Sequence, residues 1–185
     1  SADDFYYTDS HWRQERILKV ADEIADKMGA ERIGQCEKHD AGVSFYGVYY
    51  GQAALPHAPE RLFYLDNAVI RGLKVYNVET SSDIPVYDLD AAAGRDPYEM
   101  FLGGARSIIK ITNPNAAQER RLIVFRDSFG SSIAPLLAAG YSEITLVDIR
   151  YISPLSLGKL IDFTKADDVL FLYSASVINN SETIK

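Results

Sequence analysis

From Arg13 onward the apolar positions Ile17, Val20, Ala21, Ile24, Ala25 and Met28 recur at three- and four-residue steps. That spacing predicts an amphipathic helix. Thr8, Asp9 and Ser10 before it are good N-cap residues, and Gly29 after it is a plausible stop. The Asp9-x-His11 segment is thereby expected at or just before a helix N-terminus. The last third of the chain carries a different pattern. Residues 121–126, 144–149 and 169–173 are short, nearly continuous apolar runs, which suit strands buried on both faces. Two helix-like stretches, 131–139 ending near Gly140 and 154–165, separate them. Such alternation builds βαβ units with right-handed crossovers and a parallel sheet.

Residues 31–114 are less regular. Within them 43–50 and 61–76 are rich in β-branched and aromatic residues, broken by Gly47, Gly51 and Asp66-Asn67. These predict short strands and long loops, as an irregular or antiparallel insertion. No repeat, low-complexity tract or linker divides the chain. The expectation is one α/β domain over residues 1–185, with 31–114 as its insertion.

Composition narrows the partners. With 47% hydrophobic residues the 185-residue chain has ample material for a core, which excludes intrinsic disorder. Nineteen basic against 26 acidic side chains give a net charge of −7, which argues against nucleic acid as a partner. Cys36 is the only cysteine, so neither an internal disulfide nor a Cys-rich zinc site is available. No apolar run approaches the ~18 residues that would span a bilayer. The chain begins at Ser1 rather than Met, so a missing address segment carries little weight.

In an open parallel sheet, functional groups gather beyond the carboxyl ends of the strands. Those ends carry Asp127-Ser128-Phe129-Gly130, then Arg150-Tyr151, then residues 174–180. Ser128 stands at a strand–turn–helix junction, with its backbone N–H near a helix N-terminus, a favourable place for a developing oxyanion. The geometry resembles a nucleophile elbow without the Gly-x-Ser-x-Gly sequence. The plainer alternative is that Ser128, Ser131 or Ser132 caps the following helix. A serine nucleophile needs a base, and the base an orienting acceptor. Of the three histidines, His11, His39 and His57, only His11 has a carboxylate two positions away, Asp9. Its plainer alternative is a helix cap beside a surface histidine. Cys36-x-x-His39-Asp40 has no partner pair, so no metal site is assigned. Tyr46, Tyr49, Tyr50, Tyr64 and Tyr76 fit a carbohydrate platform and strand packing equally well.

Together, Asp9-Ser10-His11-Trp12 with a helix after it resembles the Asp-His-His-Trp motif of the DHHW proteins. These are relatives of the alginate O-acetylation proteins in the SGNH hydrolase-like superfamily. The resemblance continues through residues 98–104 (YEMFLGG), 122–129 (LIVFRDSF), 147–151 (VDIRY) and 168–173 (DVLFLY), in the family's order. It implies a flavodoxin-like, three-layer SGNH fold and a Ser-His-Asp triad. Ser128 would be the nucleophile, His11 the base and Asp9 its orienter, with Asp127 buttressing the turn. The implied reaction is acyl-ester chemistry without a cofactor, as an O-acyl esterase or O-acetyltransferase. The implied substrate is an acylated carbohydrate or other small ester, at the bacterial cell envelope or outside the cell.

The family is usually longer at its N-terminus. The chain therefore reads as the C-terminal part of a longer protein, touching a membrane only through a segment it lacks; its oligomeric state is open. Three departures stand out. Ser10 replaces the first His of the motif, which leaves the Asp-x-His relationship intact. Arg126 stands where the superfamily's Gly-Asp-Ser has glycine, either as a salt-bridge arginine or to polarise a bound carbonyl. After Gly103-Gly104 come Ala105-Arg106 where Gly-x-Asn is expected, leaving the Gly104 or Ala105 N–H as second oxyanion donor. Arg150 and Tyr151 either line the pocket or lock a loop, and Trp12 either anchors the helix start or stacks on a sugar. The rival readings are a catalytically inactive SGNH-like module binding carbohydrate or protein, and a metal-dependent hydrolase using His11, Asp9 and His39.

Overall fold

The computed structural model describes residues 1–53 and 57–180. After a 3-10 turn at Gln14–Arg16, the first helix α1 runs over Leu18–Met28. Gly29 ends it at φ 63°, and its N–H bonds back to the Ala25 and Asp26 carbonyls. That φ lies in the left-handed region that glycine enters without steric cost. The helix starts later than the cap-rich Thr8-Asp9-Ser10 suggested. The Thr8 and Asp9 side chains are engaged elsewhere: Thr8 by Glu60 and Gly47, Asp9 by His11 and Val48.

Strands β1 (Glu37–Phe45) and β2 (Glu60–Asp66) pair antiparallel as a separate two-stranded sheet. Between them lies a short helix, α2 (Val48–Ala53), where β-branched and aromatic content had suggested strand. Asn67 then caps α3 (Ala68–Gly72) by accepting the Ile70 N–H, splitting the predicted 61–76 strand region in two. Next come β3 (Lys74–Asn77), β4 (Ser82–Ile84), α4 (Leu89–Ala92) and β5 (Ile108–Thr112). The last third supplies β6 (Arg121–Arg126), α5 (Phe129–Ile133), β7 (Glu143–Val147), α6 (Pro154–Leu160), β8 (Asp168–Leu172) and α7 (Ala175–Asn179). Both expected helices here are shorter than their patterns. Each continues as, or is followed by, a 3-10 segment, at Ala134–Gly140 and Phe163–Lys165.

The main sheet has six strands in the order β4-β3-β5-β7-β6-β8. β7, β6 and β8 run parallel, and β5, β3 and β4 extend the sheet antiparallel. The middle third thus divides its strands between the separate hairpin and half of the main sheet. The apolar runs of β6 and β7 have a direct explanation, whereas 169–173 departs from the expectation: β8 lies at the sheet edge with Val169 and Phe171 exposed. Leu122, Val124, Ile144 and Leu146 pack on the face covered by α1 and residues 134–140, whereas Ile123 and Val147 join Leu157 and Ile161 of the α6 side. A strand covered on both faces has no position to leave polar. A smaller core of Tyr6, Phe45, Leu62, Tyr98, Met100 and Phe101 fastens the hairpin and the N-terminal segment to the rest.

Candidate active site

The parallel strands β7, β6 and β8 bring three loops to one edge of the sheet. Ser128 follows β6 within the turn that opens α5. It is the N-cap of that helix by backbone position, yet its side chain makes no capping bond. Its Oγ instead lies 2.8 Å from His11 Nε2, across 117 residues of sequence. The other ring nitrogen, Nδ1, is 2.5 Å from Asp9 Oδ1. The same Asp9 oxygen accepts the His11 backbone N–H at 2.8 Å, and Oδ2 accepts the Val48 N–H at 2.9 Å. Burial pushes the Asp9 carboxyl up, but the bonds and charge offered by His11, with Val48, outweigh it and hold the group below its ordinary value. An ionised Asp9 keeps the Nδ1 proton in place, so Nε2 presents its lone pair to Ser128 Oγ.

His11 sits on no regular element, so its placement depends on tertiary anchors. Residues 5 and 12 form an antiparallel bridge, with Tyr6 N–H donating to the His11 carbonyl and Arg13 N–H to the Asp4 carbonyl. Glu60, buried at the start of β2, accepts the Tyr7 and Thr8 N–H groups, the Thr8 hydroxyl and an Arg13 N–H. Gly47 closes the other side. A Cβ there would lie 2.1 Å from the Thr8 carbonyl oxygen and 2.4 Å from Asp9 Cβ, so only glycine fits. Beneath the imidazole, the buried Tyr98 ring stacks at 4.0 Å between centroids and 16° between planes. Burial drives the Tyr98 hydroxyl well above its usual range, which keeps it a donor. It donates to Ser132 Oγ at 2.8 Å and to the Trp12 carbonyl at 3.2 Å.

The other sequence-predicted residues take varied positions. Asp127 lies buried behind the turn and accepts the Phe129 N–H at 3.0 Å and the Ser174 N–H at 2.7 Å. Trp12 is half-buried against Phe129 and donates its indole N–H to Ser132 Oγ at 2.6 Å. Gly104 and Ala105 line a cleft of about 170 Å³ together with His11, Ser128, Arg150 and Tyr151. The Gly104 N–H bonds the Phe101 carbonyl at 3.1 Å, closing a turn. Among the described residues, the Ser128 and Ala105 N–H groups have no internal acceptor. Arg150 grips the buried Asp148 carboxylate through Nε at 2.9 Å and Nη2 at 2.6 Å.

Of the two readings of Arg126, the structure corrects the one at a bound carbonyl and fits the salt bridge, with the Asp148 carboxylate 3.8 Å from Nη1. Arg126 is fully buried beneath the turn, and its guanidinium faces protein carbonyls and Ser131 rather than the cleft. Cys36 and His39 lie at the hairpin, where His39 stacks on Tyr64, and they join no residue of the cleft. Of the tyrosines, Tyr46 and Tyr50 line a neighbouring groove of about 750 Å³ that shares Asp96 and Glu99 with the cleft.

Sequence reasoning assigned no role to Glu60, Gly47 or Tyr98. Another such residue is Gln14, buried at 0% exposure, whose amide ties the Leu65 N–H, the Ser132 carbonyl and the Tyr87 hydroxyl together. In the sequence Gly47 shows only as a break in an aromatic stretch, and Tyr98 only as the residue after Asp96-Pro97 that opens the segment 98–104.

A family model described as DHHW protein matches residues 3–147. Among solved structures, the chain is similar to a DHHW family protein from Eubacterium siraeum, at 20% identity and TM-score 0.74, over 98% of this chain and 63% of that one. It is also similar to Bacillus cereus PatB1 with a sulfonyl adduct, at 22% identity and TM-score 0.74, over 95% of this chain and 62% of that one. A second structure of Bacillus cereus PatB1 gives 20% identity and TM-score 0.70, over 95% and 64%. The chain therefore spans less than two thirds of these proteins. No curated protein matches it.

Proposed function

The chain belongs to the DHHW protein family, and on that footing we propose that it is a serine O-acyl esterase or O-acetyltransferase acting on cell-envelope or extracellular polysaccharide. One observation carries this reading: the unbroken relay from Asp9 through His11 to Ser128, at 2.5 and 2.8 Å, opening on a solvent-reached cleft. Nucleophile, base and orienter within hydrogen-bond reach is the arrangement that activates an alcohol. The sulfonyl adduct in PatB1, a protein of the same fold, supports a reactive nucleophile in this architecture.

In the proposed reaction His11 Nε2 takes the Ser128 proton as Oγ attacks the ester carbonyl carbon. The tetrahedral oxyanion is met by the Ser128 and Ala105 N–H groups, both free of internal acceptors. Collapse breaks the bond to the leaving alkoxide, which takes the proton from His11 and leaves acyl-Ser128. A water or sugar hydroxyl then gives its proton to His11 as it attacks the acyl carbon, and collapse breaks the bond to Ser128 Oγ, which takes that proton back from His11. Asp9 stays ionised throughout and supports the imidazolium.

The test is a serine-directed organophosphonate followed by peptide mass spectrometry, with aryl-acetate turnover and acetate release from acetylated envelope polysaccharide. The label is expected on Ser128, and Ser128→Ala and His11→Ala should each lower turnover by more than ~10³. Unlabelled Ser128, or turnover unchanged in both variants, overturns the proposal.

A further inference from the structure

The two N–H groups assigned to the oxyanion lie on separate loops, and a stable hole requires that these loops hold a fixed distance. The backbone leading to Ala105 takes an unusual course that its surroundings must hold. Leu102, Gly103 and Gly104 have φ of 54°, 69° and 73°, three successive residues in the left-handed region. For Leu102 that conformation is a strain of about 1–3 kcal/mol, which persists only where surrounding structure enforces it. A small rearrangement of this loop would carry the Ala105 N–H away.

Arg126 lies beneath both loops. Its Nη1 donates to the Asp127 carbonyl at 3.2 Å and to Ser131 Oγ at 3.1 Å, on either side of Ser128. Its Nη2 donates to the Gly104 carbonyl at 3.5 Å and the Arg106 carbonyl at 3.3 Å, on either side of Ala105. The planar guanidinium thus brackets the two donor residues at once. Asp148, itself fully buried and gripped by Arg150, lies 3.8 Å from Nη1 and offsets the charge. The turn is built around this side chain, since a Cβ on Gly130 would come within 2.6 Å of Arg126 Cβ and 2.8 Å of its Cγ.

We infer that Arg126 is the positioning residue of the oxyanion hole, a guanidinium staple that sets the spacing between the Ser128 and Ala105 amides. This rests on the acyl-transfer reading of the site. A lysine at 126 would keep the charge but, with one nitrogen, does not reproduce the two-sided bracket.

The experiment compares Arg126→Lys and Arg126→Met with wild type in aryl-acetate hydrolysis, and in inhibition by phenylboronic acid, which becomes tetrahedral on a serine oxygen. Losing a positioned oxyanion donor lowers turnover by ~10²–10³. Both variants should lose kcat on that scale with KM within about threefold, and boronate affinity should fall in parallel. A merely structural role would not couple kcat to boronate affinity at constant KM. Folded variants that keep kcat within about fivefold, or that lose kcat while binding boronate normally, overturn the inference. Should neither variant fold, Ser131→Ala removes one acceptor of the staple; a several-fold parallel loss supports the inference and no change overturns it. Wild-type protein showing neither turnover nor boronate binding would refute the acyl-transfer reading itself, and the inference with it.

Discussion

Replacing Asp9 by Asn tests whether the carboxylate orients the imidazole. Three N–H donors converge on Asp9: the His11 amide and Nδ1 on Oδ1, and the Val48 amide on Oδ2. A carboxylate accepts all three, whereas an asparagine amide has one acceptor oxygen and one NH₂. With that oxygen toward His11, the NH₂ faces the Val48 N–H. With the amide reversed, the NH₂ faces the His11 amide and drives the imidazole to the tautomer that no longer accepts the Ser128 proton. Each orientation buries one donor against another, at about 1–3 kcal/mol of stability. The first also loses the charge that supports the imidazolium; charged hydrogen bonds exceed neutral ones by about 1 kcal/mol or more, nearly tenfold in rate. The second costs ~10⁴ where measured in a serine-protease triad. The expected fall in kcat lies between about tenfold and ~10⁴, according to the orientation the amide takes, with KM little changed, read by aryl-acetate kinetics on folded protein. An Asn variant within fivefold of wild type would refute the orienting role.

The same carboxyl gives a pH signature. Its value is depressed in the fold, so its stabilising contribution is present above the unfolded value, near 4, and disappears as pH falls through the folded one. The stability gap between wild type and Asp9→Asn should therefore be constant above about pH 4 and narrow as pH falls below it, as acid melts would read; a gap that does not change with pH contradicts this. Gly47→Ala should cost about 1–3 kcal/mol by overpacking and lower kcat by displacing Asp9, with Tm and turnover falling together. An unaltered kcat would show that Gly47 does not set the Asp9 position. Burial, followed by the charges of Asp66 and Asp22, pushes the Cys36 thiol up. Iodoacetamide at pH 8 should then label Cys36 more slowly than free cysteine, and equal rates would exclude the shift.

The parts legible in the sequence are those governed by local periodicity. The three-and-four spacing of Ile17 to Met28 marked α1, and Gly29 its end. The run 121–126 coincides with β6, and the other two runs fall within a residue or two of β7 and β8. Tertiary packing took over where local preference is weak. Val48 to Ala53 coil into a helix because the Val48 amide turns toward Asp9 and the Tyr49 amide toward the Thr8 carbonyl. Nothing local in the sequence signals that Glu60 and Gln14 will each be buried with several hydrogen bonds to distant backbone. For Arg126 the missing information is similar, because its partners come from the turn after β6 and from residues 104–106. Ser128, His11 and Asp9 could be singled out because their residue types and chain positions carry chemistry. Their separation in space could not.

Because the groups of the cleft are scattered along the polypeptide, synthesis delivers them in sequence. The ribosome releases the imidazole first, the alcohol 117 residues afterwards, and Ser174, whose amide steadies Asp127, later still. A nascent chain therefore lacks a competent centre until its edge strand has emerged and joined the sheet. A chain halted before residue 174 would hold the alcohol and the imidazole yet lack the amide that steadies the turn between them.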